Sequence, residues 1–118
     1  VAELHHSLGL LLVRQNRHDE ALASLAKSVE LAPDQPRFVY VYAVALHDLG
    51  NVATALEVLQ EAHERFPTDR NILVALASFH HQAGDIQKAT SYGRKLLDLD
   101  PHNPDLQQFV QQLSSAAG

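Results

Sequence analysis

Histidine is the residue type in this 118-residue chain with the most evident capacity for chemistry, since the chain has eight His and no Cys. Imidazole nitrogens bind several transition metals, but a site needs ligands that converge on one point. The adjacent pairs at 5–6 and 80–81 would point in different directions on a helix. His47 and His81 have no carboxylate that recurs beside both of them. The sequence therefore predicts no metal site.

Patterns typical of catalysis are also missing from the sequence. It contains no glycine-rich phosphate loop and no serine nucleophile motif, and the lack of Cys removes thiol nucleophiles and covalent haem attachment. Glu30, Glu64 and Asp98 recur at even spacing, a pattern typical of a solvated helical surface rather than an acid–base pair. We expect no enzymatic activity and no cofactor in this chain.

Composition narrows the class of protein further. The 14 acidic and nine basic residues give a formal charge of −5, which argues against nucleic-acid binding because that affinity comes largely from Lys and Arg. No apolar run is long enough to be inserted in a membrane. We expect a soluble protein, cytoplasmic or periplasmic. The chain starts at Val1 and lacks Met, as a piece of a longer protein would, so the missing signal peptide says little about the compartment.

A single fixed period organises the whole sequence. It is carried by prolines at 33, 67 and 101, alanines at 21, 55 and 89, and glycines at 50 and 84. The chain divides without insertion or deletion into units 2–35, 36–69 and 70–103, followed by a terminal segment 104–116. Self-similarity at one period indicates a stack of identical supersecondary units.

Each unit is predicted to contain two helices. The first should end near Asn16, Gly50 or Gly84, residue types that tolerate the left-handed conformation after a helix. The second should end near residue 31, 65 or 99, before the periodic proline. Residues 38–42 have the composition of a strand, but they occupy a first-helix position of the repeat and are predicted to be helical.

With these units in register, the sequence resembles the tetratricopeptide repeat (TPR). Leu8-Gly9, Tyr42-Ala43 and Leu76-Ala77 match the Leu-Gly position of the family, and the periodic alanines match its most restrictive small-residue position. The resemblance implies an all-α fold, a right-handed α-solenoid of helix-turn-helix units with about seven helices. Residues 104–116 would form the C-terminal capping helix. The early aromatic residue of the family is replaced here by His5, Val39 and Leu73.

The resemblance also implies a concave groove lined by the first helices. Its groove-facing positions correspond in this chain to His6, Leu10, Val13, Arg14, Arg37, Tyr40, Val41, Val44, His47, Asn71, Val74, Ser78 and His81. The middle of this set is apolar. An apolar wall indicates a surface that binds a protein or peptide.

The family's carboxylate clamp for chaperone C-termini would need cationic side chains in this groove. The matching residues are His6, Leu10, Val41, Asn71 and Ala75, so that function is not expected. We instead predict a non-catalytic interaction module that binds a peptide, a helix or a second copy of itself. The alternative is an accessory segment of a larger enzyme or periplasmic multihaem protein, because residues 40–47 are similar to TPR tails of bacterial multihaem cytochromes.

Overall fold

The computed structural model describes residues 1–115, which form seven α-helices and no strand in that range. The helices are α1 (Ala2–Arg14), α2 (His18–Leu31), α3 (Pro36–Asp48), α4 (Val52–Arg65), α5 (Arg70–Gln82), α6 (Ile86–Leu99) and α7 (Pro104–Ser115). Helix starts and ends recur with the period of the repeat, as the sequence predicts. The all-α helical-repeat fold is confirmed. Residue 116 of the predicted terminal helix lies outside the described residues.

The first helix of each unit ends in the same hydrogen-bonded turn. Asn16, Gly50 and Gly84 have φ angles of 59°, 92° and 88°, all in the left-handed region. In each case the next residue donates its N–H to a carbonyl five positions earlier, as Arg17 does to Leu12 at 3.0 Å. This is the Schellman arrangement, which satisfies carbonyls that would otherwise end a helix unpaired. The turns therefore follow from local sequence alone.

Short polar side chains begin several of the helices. The carboxylate of Asp69 accepts a hydrogen bond from the Ile72 N–H at 3.0 Å, and Asp85 caps α6 in the same way. The Asn103 side-chain oxygen accepts from the Asp105 N–H at 2.9 Å, with Pro104 as the first helical residue. Such caps satisfy the free N–H groups of the first turn.

The strand-like segment 38–42 lies inside α3, so the helical prediction for it is confirmed. Phe38, Val39 and Ala43 are buried, whereas Tyr40 and Val41 are half-buried. Because branched and aromatic side chains gain more from burial than they lose in helix propensity, tertiary packing overrides the local preference.

The chain forms two compact units, Val1–Ala62 and His63–Gly118. In the first unit, α1 and α2 approach most closely at Gly9. A Cβ atom built there would lie 2.6 Å from Cγ and Cδ2 of the buried Leu25, and 3.3 Å from the Ala21 carbonyl oxygen. Ala21 is itself fully buried. The small residues of the repeat thus permit the helices to touch backbone to side chain.

In the second unit, α5 and α6 pack together and α7 packs on α6. Ala77, Ala89 and Leu113 form a buried cluster, with Tyr92 and Phe109 packed against it. A Cβ atom at Gly93 would lie 3.0 Å from Leu113 Cδ1 and 3.1 Å from Val110 Cγ2. The apolar stripe of α7 therefore rests on a surface of α6 that a glycine keeps low.

Candidate functional site

Two side-chain contacts join α1 and α3, which carry most of the predicted groove residues in the first unit. The Arg37 guanidinium forms an ion pair with the Glu3 carboxylate and also lies over the Phe38 ring, 5.2 Å from its centre. One turn along α1, the His6 ring packs on the Phe38 ring with centroids 4.8 Å apart. These contacts hold the first helices of two successive repeats side by side.

Beyond these contacts, α1 and α3 carry a set of partly exposed apolar side chains. Positions 37, 40, 41, 44 and 47 share one face of α3, and positions 6, 10, 13 and 14 share one face of α1. The half-buried apolar members are Leu10, Val13, Tyr40, Val41 and Val44. We call these five residues the apolar face. Arg14 and Arg37 are exposed beside it, so charge borders it rather than interrupts it.

His6 and His47 differ from the other predicted groove residues. His6 is only 7% exposed, and its Nδ1 makes no hydrogen bond within the described residues. Burial lowers the pKa of His6, and the nearby Arg37 lowers it further. His6 therefore acts as a neutral packing residue between α1 and α3. His47 is half-buried, with Nδ1 3.6 Å from the Asp48 carboxylate.

The remaining predicted groove residues lie on α5, in the second unit. Asn71 is exposed, whereas Val74, Ser78 and His81 are half-buried. Ser78 and His81 line a pocket of about 140 Å³, which is completed by Gln82 and by α7 residues Phe109, Gln112 and Leu113. From the sequence, α7 is predicted only as a cap. Its apolar stripe at i, i+3 and i+4 was visible, but nothing local indicated that α7 would also form a pocket wall with α5.

An aromatic cluster in the second unit was also not visible in the sequence. The His80 ring is stacked on Tyr92 with centroids 5.8 Å apart, and the His63 ring meets Tyr92 edge-on at 5.5 Å. Burial lowers the pKa of both histidines, with additional lowering by Lys95 at His63 and by Lys88 at His80. Both imidazoles are therefore held neutral, which suits packing against an aromatic ring.

These lowered pKa values predict that acid destabilises the fold. His6, His63 and His80 bind protons more readily when unfolded, where the pKa is about 6.5. Their stabilising contribution is complete above that pH and is lost as pH falls through 6.5 and through the lower folded pKa values. We expect His80→Phe, which keeps a ring against Tyr92, to flatten the loss of unfolding free energy between neutral and acid pH.

Urea unfolding at a series of pH values measures this slope. The exposed His18 provides the matched control, since His18→Gln should leave the acid limb of the curve unchanged. An acid limb equally steep in His80→Phe and in the parent chain would contradict the assignment.

Metal ligation and membrane insertion find no support in the described residues. They contain no group of three or more His, Cys, Asp or Glu side chains arranged to hold a metal ion. None of their helices has both the length and the apolar character that crossing a bilayer requires.

Comparison with known protein families gives two matches that together span most of the chain. Models described as tetratricopeptide repeat match residues 6–70 and residues 46–113. Cell division cycle protein 27 homolog A of Arabidopsis thaliana is 31% identical over 97 residues, which cover 82% of this chain. Bacteriophage adsorption protein A of Escherichia coli is 27% identical over 88 residues, 73% of this chain. The matched segments are 14% and 9% of the lengths of those two relatives.

Solved structures share the fold at low sequence identity. The first TPR of Spaghetti (RPAP3), bound to the HSP90 peptide SRMEEVD, superposes with a TM-score of 0.80 at 19% identity, covering 98% of this chain and 91% of that one. The Yersinia enterocolitica type III secretion chaperone SycD, in complex with a peptide of the translocator YopD, has a TM-score of 0.76 at 16% identity, covering 98% and 88%.

Proposed function

Because the chain belongs to the tetratricopeptide-repeat family, we propose that it is a non-catalytic interaction module that binds a peptide or helix on the apolar face of α1 and α3. The observation that carries this proposal is the set of five half-buried apolar side chains, placed side by side by the Glu3–Arg37 and His6–Phe38 contacts. The peptide complexes of RPAP3 and SycD, which share the fold, support a peptide as the class of ligand.

Burial of apolar surface would supply most of the affinity. Each fully buried Val, Leu or aromatic side chain contributes about 1.5–3 kcal/mol relative to an exposed one, and the five side chains here are already partly desolvated. Aromatic and Arg side chains are the commonest binding hot spots, which makes Tyr40 and Arg37 the strongest single anchors. Arg37 is already paired with Glu3, so its position is set before a ligand arrives.

The ligand is expected to differ from the acidic peptide bound by RPAP3. A carboxylate clamp requires fixed positive charge, but His6 is buried and held neutral, and Leu10 and Val41 are apolar. We therefore predict that the peptide SRMEEVD shows no saturable binding up to about 1 mM. Isothermal titration calorimetry with that peptide tests this directly.

Apolar peptides should behave in the opposite way. A phage-displayed library of random peptides, selected on the immobilised chain, should yield sequences rich in Leu, Ile, Phe or Trp. Their affinity should change little between about 0.05 M and 0.5 M salt, because apolar contacts are not screened as exposed charges are. Selection of acidic peptides whose binding falls steeply with salt would refute the proposed apolar face.

A further inference from the structure

A second apolar surface of the first unit lies on α1, on a different side from the apolar face. Leu4, Leu8 and Leu11 are 69%, 45% and 46% exposed, and they follow one another at the spacing of a single helical stripe. Val1, which precedes α1 in the same stripe, is more exposed still. We call these four residues the α1 stripe. Contiguous exposed side chains of this size are unusual on a protein surface unless something binds them.

The internal repeat indicates that this stripe is a packing surface rather than an ordinary solvated one. Leu4 corresponds to Phe38 and Ile72 in the next two units, and both of these are buried. Leu8 corresponds in the same way to the fully buried Leu76. In the first unit, α2 packs against α3. A helix laid on α1 would therefore continue a mode of packing that the fold already uses.

We propose that the α1 stripe pairs with the same stripe of a second copy, the two α1 helices lying antiparallel about a two-fold axis at Leu8. In this arrangement Leu8 meets Leu8 of the second copy, and Leu4 meets Leu11 of the second copy. A two-fold contact requires a self-complementary surface. The nearly even placement of Leu4 and Leu11 on either side of Leu8 meets that requirement.

The charges beside the stripe complement one another in the same arrangement. Glu3 and Arg14 are both exposed and lie eleven positions apart, on one flank of α1. The two-fold axis leaves each on its own flank while reversing the helix direction, so Glu3 of one copy approaches Arg14 of the other. A parallel pair would instead place like charges together. Opposite charges across an interface favour one orientation more than they add affinity.

The interface would be small. One face of a thirteen-residue helix from each copy falls at the lower end of the areas found in specific interfaces, so we expect a dissociation constant on the order of 10–100 µM. Sedimentation velocity over a concentration range that brackets this value should show a monomer–dimer equilibrium. A chain that remains monomeric throughout the range would overturn the proposal.

Leu8→Glu tests the position of the axis, because it brings two like charges together there. The matched control is Leu31→Glu, since Leu31 on α2 is 46% exposed and lies outside the stripe. We expect Leu8→Glu to weaken dimerisation at least tenfold and Leu31→Glu to leave it unchanged. Equal effects of the two substitutions would contradict the proposal. If circular dichroism shows that Leu8→Glu loses helix, Leu4→Glu at the more exposed position provides the same test.

Cross-linking tests the geometry independently. The chain has no Cys, so Leu8→Cys introduces a single thiol. Under a glutathione redox buffer, Leu8→Cys should form a covalent dimer much faster than Leu31→Cys. Equal rates would count against an axis at Leu8. Because the apolar face lies elsewhere on α1 and α3, a Tyr40→Ala, Val44→Asp double variant should dimerise normally, which separates a failure of this proposal from a failure of the proposed peptide-binding function.

Discussion

Replacing Tyr40 by Ala together with Val44 by Asp is expected to lower the affinity for selected apolar peptides by at least thirtyfold. Truncating an aromatic hot spot costs about 2 kcal/mol or more, which corresponds to that factor. The new carboxylate adds a desolvation cost if a ligand covers it. Both side chains are half-buried on the same face of α3, so the two changes act on one surface.

Calorimetry with the library-selected peptides measures this loss of affinity, after circular dichroism has shown that helicity is retained. The matched control is Leu22→Ala with Val29→Asp, since these two side chains are equally half-buried but lie on α2. If the control double variant loses affinity and the Tyr40–Val44 double variant does not, the ligand binds the outer helices and the proposed site is wrong.

Replacing Gly9 by Val is expected to lower the free energy of unfolding by about 3 kcal/mol, because forcing extra carbon atoms into a packed core typically costs about 1–3 kcal/mol. A Cβ atom at this position would lie 2.6 Å from two carbons of Leu25, and the Ala21 carbonyl oxygen closes the space on another side at 3.3 Å. Gly9→Ala should cost less, because Ala is about 1 kcal/mol better than Gly in a helix.

Chemical unfolding of three variants distinguishes crowding from helix propensity. Ala23→Val on α2 introduces the same side chain at an exposed helical position and should cost less than about 1 kcal/mol. Combining Gly9→Ala with Leu25→Ala should cost less than the sum of the two single changes, because the second removes the atoms with which the first collides. Additive costs would show that the α1–α2 contact is not the cause.

The helices and their ends could be predicted from the sequence because their causes are local. A left-handed residue such as Asn16 or Gly50 ends a helix, and a residue such as Asp85 caps the next one, whatever lies around them. The repeat period then placed residues 38–42 in a helix against their own propensity. That prediction depended on the repeat rather than on the residues themselves.

The groove positions could be assigned from the sequence only through the family resemblance, and the structure distinguishes among them. His6 and Leu10 occupy the same face of α1, but His6 is buried against Phe38 whereas Leu10 stays partly exposed. The difference depends on which α3 residue approaches each of them. No periodicity within α1 contains that information.

The fold class, the helix ends and the small-residue positions were thus determined by the sequence alone, since hydrogen-bonded turns and helix periodicity act over a few residues. Tertiary structure decided which side chains remain exposed and which histidines are neutral. The stacking of His80 on Tyr92, the pocket that α7 shares with α5, and the exposed α1 stripe all depend on residues brought together from different helices. Desolvation and contact act through space, so these properties exist only once the helices have packed.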